Sequence, residues 1–95
     1  MSGERWTYPD ELGDALLTLG LRPLGSTPPQ VVRDALNDLY RFELRRMRDR
    51  LRAGGMEKVE YLDRVVALRK KYWPLTLPLP AWERICQERG EEAER

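Results

Sequence analysis

Between Pro28-Pro29 and Gly54-Gly55 the chain runs without a single glycine or proline, and that stretch limits the possible folds more than any other. Proline suits the first helical position, because the N–H it lacks has no partner there anyway. Thr27, with Gln30 three residues on, reads as a capping box. Glycine pairs end helices by adopting the left-handed backbone that other residues avoid. The spacing therefore predicts one helix over residues 28–53, about 39 Å long at 1.5 Å per residue.

A helix of that length dominates a chain of 95 residues. Gly-Gly then turns it into a third helix over residues 56–73, which must stop before Pro74 because proline disfavours helical geometry in the residue ahead of it. Two helices joined so closely form an antiparallel hairpin. Shorter helices are expected at its ends. One covers residues 9–19, where Leu12, Ala15, Leu16 and Leu19 recur at helical spacing and Gly20 follows as a C-cap. The other starts at Pro80, buries Trp82, Ile85 and Cys86, and ends near Gly90. The intervening Pro74-Leu75-Thr76-Leu77-Pro78-Leu79-Pro80 holds proline too often for a helix and is expected to be extended, its leucines against the bundle. The predicted fold class is all-α: a long antiparallel helical hairpin with short flanking helices, in a single domain over residues 1–90. Residues 91–95 are expected to form a mobile charged tail.

Composition narrows the chemistry. Histidine is absent and Cys86 is the only cysteine, which removes the usual zinc sites, the histidine-based nucleophile triads and an internal disulfide. No metal, cofactor or catalytic residue is assigned, and a non-enzymatic protein is expected. The longest stretch without a charge, residues 72–82, is far short of the ~20 apolar residues of a membrane span. The start Met1-Ser2-Gly3-Glu4-Arg5 has neither the basic region nor the apolar run of a secretory signal, so the expected location is cytoplasmic.

Helical projection separates two kinds of face on the hairpin. Leu36, Tyr40, Leu44, Met47 and Leu51 form a seam on its first arm, and Val32, Ala35, Leu39 and Phe42 add a shoulder to the first half. The second arm carries a broad apolar arc with Val59, Tyr61, Leu62, Val65, Val66, Leu68, Tyr72 and Trp73. That exceeds what one facing helix can bury, so the end helices or a second copy of the chain must cover the surplus. Arg69 projects from this arc and, by register about the glycine turn, is expected to pair with Glu43.

Charge is distributed unevenly although it sums to +1. Residues 41–52 hold six arginines against two acids. Of these, Arg41, Arg45, Arg48 and Arg52 recur at i, i+4, i+7, i+11, within about 60° on one helix face. Forked guanidinium donors in a row suit carboxylates or phosphates. They are the expected binding residues, together with Trp73 and Trp82 if the aromatics form a gripping patch rather than core. The favoured partner is a protein with an acidic surface. Nucleic acid is the alternative, held back by the near-neutral net charge and the lack of a short recognition helix.

Leu39-Tyr40-Arg41, followed by Phe42 and a basic helix, resembles the tripeptide of the LYR family of small helical accessory proteins. That resemblance implies an accessory role, binding acyl carrier protein or assisting assembly of iron–sulfur or respiratory proteins. In that family the tripeptide lies near the N-terminus of the first long helix, whereas here about 38 residues and a predicted helix precede it.

Overall fold

The computed structural model describes residues 5–87, and these are mostly helical. Helix α1 spans Asp10–Thr18, α2 Pro29–Arg52, α3 Lys58–Lys71 and α4 Leu79–Ile85, with a 3-10 helix over Trp73–Thr76. The unbroken stretch is one helix of 24 residues, and the next helix has 14, so the two arms are unequal. The expected tail over residues 91–95 lies outside the described residues.

Two boundary expectations need correction. Thr27 does not cap α2: its Oγ1 accepts a hydrogen bond from the Leu24 N–H at 3.1 Å, closing the preceding turn. Pro28 takes the N-cap place and Pro29 the first helical position, where the missing proline N–H leaves little for a threonine hydroxyl to satisfy. The Pro-rich segment is not extended throughout. Pro74 sits in the first turn of the 3-10 helix, and only Leu77 and Pro78 are extended before α4 begins. Proline excludes itself from a helix interior but not from a first turn, and this segment has two first turns.

The core gathers at one end of the hairpin. Leu12 and Leu16 of α1, Val32 and Leu36 of α2, Leu68 of α3 with its C-cap Tyr72, and Trp82 of α4 with its C-cap Cys86 form one buried cluster, with Leu75, Leu77 and Leu79 packed against it. Arg33 pins the 3-10 region, its Nε and one Nη donating to the carbonyls of Leu77 and Leu75 at 2.9 and 3.2 Å. Such charge-assisted bonds satisfy carbonyls that a proline-rich segment cannot pair internally. The chain start closes the same end: Trp6 N–H donates to Gly25 O and Thr7 N–H to Cys86 O, both at 2.8 Å.

Beyond this cluster, among the described residues, only α2 and α3 continue, toward the Gly54-Gly55 turn that joins them. Residues 45, 46, 48–50 and 52 of α2 are exposed, and Met56 at the turn is buried apart from the main cluster. The expected Glu43–Arg69 pair does not form. Glu43 instead accepts a hydrogen bond from the Tyr72 hydroxyl, and Lys71 Nζ lies 3.9 Å away. Arg69 is exposed because the part of the α3 arc it projects from is itself uncovered: Val59, Leu62 and Val66 are 65%, 52% and 51% exposed. A charge in contact with water has no need of a partner.

Candidate partner-binding face

Helix α2 divides its circumference between the core and solvent. Val32 and Leu36 are buried, and Leu39, Tyr40, Glu43, Leu44 and Met47 continue that side half-buried toward the turn. At about 100° per residue, Arg41, Arg45, Arg48 and Arg52 are turned more than 90° from the Leu36–Tyr40–Met47 line. All four are exposed. Arg41, Arg45 and Arg48 surround a shallow depression of about 230 Å³ whose floor includes Leu44.

Among the described residues, ion pairs within 4 Å join only Arg64 to Glu60 and Lys71 to Glu43. The row is thus not neutralised by any of the described residues. Asp38 and Asp49 occupy neighbouring helical positions, yet neither approaches an arginine of the row to pairing distance. Four like charges on adjacent turns repel weakly in water, and a stretch of anionic surface laid along them would relieve that repulsion.

The aromatic residues separate. Trp82 is fully buried, and its Nε1 donates to Pro74 O at 2.9 Å, so it belongs to the core and offers no surface to a partner in this fold. Trp73 is half-buried against the core cluster. Tyr72 packs on Tyr40 with ring centroids 5.2 Å apart, and burial, followed by the Glu43 hydrogen bond and charge, raises its pKa well beyond the usual tyrosine value. A second depression of about 250 Å³ lies beside this pair, lined by Tyr40, Arg69, Tyr72, Leu75 and Thr76. Sequence reading did not single out Arg33. Its position between Val32 and Leu36, close to the core side of α2, was the available signal.

The tripeptide at Leu39-Tyr40-Arg41 is split by the fold. Leu39 and Tyr40 are half-buried toward the core, while Arg41 opens the exposed row. No protein-family model matches the chain, and neither a curated protein nor a solved structure is detectably similar to it. No helix among the described residues is long and apolar enough to cross a membrane.

Proposed function

We propose that the chain is a non-enzymatic protein-binding module, a helical hairpin whose outer half serves as an arm for docking an acidic partner. The observation behind this reading is the row of four exposed guanidiniums with no ion pair of their own among the described residues, on an arm that stands clear of the core. Arginine forks engage carboxylates in pairs, and their placement on a rigid helix reduces the ordering cost of binding.

Nucleic acid remains the second reading, favoured by one particular observation. Residues 41–71 hold eleven basic and five acidic side chains. The acids Asp10, Glu11 and Asp14 lie on α1, in the core-bearing end of a molecule 57 Å long. Screening over about 8 Å at physiological salt lets a ligand at the arm feel local charge rather than the net value.

Affinity capture from a lysate of the native host, with and without nuclease treatment, using the wild-type chain and an Arg45→Glu/Arg48→Glu variant in parallel, tests the first reading against the second. A protein retained by the wild type and lost from a folded variant is the expected result. Capture that disappears with nuclease, or purified single-stranded DNA binding that falls steeply with salt, would transfer the function to nucleic acid.

A further inference from the structure

Two members of the arginine row, Arg41 and Arg48, turn toward the same flank of the helix pair as the apolar stripe of α3; the contacts between the helices identify the flanks, and helical projection places the residues on them. Lys71 lies beside Glu43, and Arg64 shares a depression with Glu43, Arg46, Met47 and Arg50. The Arg64–Lys71 flank of α3 therefore adjoins the Glu43–Arg50 flank of α2. The opposite flank is marked by Arg69, which lines a depression with Tyr40 and Tyr72. At about 100° per residue, that second flank receives Leu44, Arg41 and Arg48 from α2, and Leu62, Val66 and Arg69 from α3. With residue 64 level with residues 46–50 and the chains running opposite ways, Leu62 falls level with residues 48–52 and Val66 with residues 44–48, both within about a turn of Arg48.

We infer that this face is a groove for an amphipathic helix of a partner protein, one with an aliphatic stripe flanked by glutamate or aspartate. The inference rests on the protein-binding reading above and adds the form and chemistry of the partner. Two packed helices leave a furrow that a third helix fills, as in helix-in-groove recognition. Leu62 and Val66 would receive the aliphatic stripe. Arg48 and Arg41 on one rim and Arg69 on the other would meet its carboxylates. The apolar component separates this partner from nucleic acid, because branched aliphatic side chains gain nothing from a phosphodiester backbone, whereas a protein helix buries its own against them.

The probe is a synthetic helix of about 20 residues with leucine at the a and d heptad positions and glutamate at e and g. Its comparators are the same helix with lysine at e and g, polyglutamate of equal length, and single-stranded DNA. Binding is read by fluorescence anisotropy, and the site by methyl and guanidinium NMR shifts of the wild-type chain. The glutamate helix is expected to bind at least about tenfold more tightly than every comparator. It should shift Leu62, Val66 and Arg48 together, and lose about tenfold with either Leu62→Asp or Arg48→Glu. Both side chains are exposed, so the variants should keep the wild-type circular dichroism; the wild-type shift map decides the matter if one does not.

Equal binding of polyglutamate would sink the groove while leaving an acidic partner for the arginines alone. Equal binding of the lysine helix would remove the charge complementarity. Tighter binding of DNA would overturn both this inference and the reading it rests on. Self-association abolished by Val66→Asp would make a second copy of the chain the occupant, and that too would overturn it.

Discussion

Trp82 of α4 and Cys86, the C-cap of that helix, lie about one turn apart and are both completely buried. Trp82 places its indole in the core and its one donor on a proline carbonyl, so neither its area nor its N–H is left unused. Burial pushes the Cys86 thiol up from 9.0 to about 11. The Tyr8 and Tyr72 hydroxyls are raised as well, each chiefly by burial. A raised pKa keeps the folded side chain protonated where the unfolded one has already ionised. The stabilisation is complete below the unfolded values and is lost as pH rises through the folded ones. Stability should therefore decline from about pH 9 upward, and in the first two pH units Cys86→Ala should flatten the decline, as read by urea midpoints across an alkaline series. An unchanged slope in that variant would mean that Cys86 is not shielded as described.

At the scale of elements, helix boundaries were readable and their chemistry was not. Gly20 and Gly54 both take positive φ, +90° and +83°, as C-terminal glycine signals require. A Cβ on Gly54 would meet nothing within 4 Å, so Gly54→Ala costs only backbone strain, about 1–2 kcal/mol. Thermal unfolding should show a Tm lower by roughly 4–8 °C per kcal/mol, with Gly54→Asn falling less because asparagine tolerates the left-handed region. A neutral alanine variant would contradict the turn. The Thr27 cap and the Glu43–Arg69 pair failed for one shared reason. Each was inferred from spacing along the chain, whereas Thr27 turned to Leu24 and Glu43 to Tyr72 once the helices had packed. Spacing determines who is within reach, and packing determines which of those groups is desolvated and in need of a partner.

At the scale of the molecule, the radius of gyration is 16.6 Å, where a compact chain of this length would have about 12 Å. Four helices and the 3-10 segment stabilise one end, while the other has two helices and an uncovered aliphatic stripe. Stability should follow that division. Backbone amides of the distal arm, near residues 45–52 and 58–65, are expected to exchange with solvent at least about tenfold faster than those near Leu12, Leu36 and Trp82. Uniform protection would show the hairpin to be as cooperative as the core. If the helix-in-groove inference holds, the acidic probe helix should slow the distal amides selectively by supplying the third helix they lack.

Helix content, the continuity of α2 and the existence of the arginine row were determined along the chain itself, because proline, glycine and helical periodicity act over a few residues and need no tertiary context. Which part of the α3 arc stays open, which tryptophan is buried and which flank of α3 lies beside the arginines were decided only by assembly. Those outcomes depend on how two helices rotate against each other, and the rotation is set by the joint packing of Leu36, Tyr40, Leu68, Tyr72 and Trp82, residues far apart in the sequence and adjacent only in the folded core.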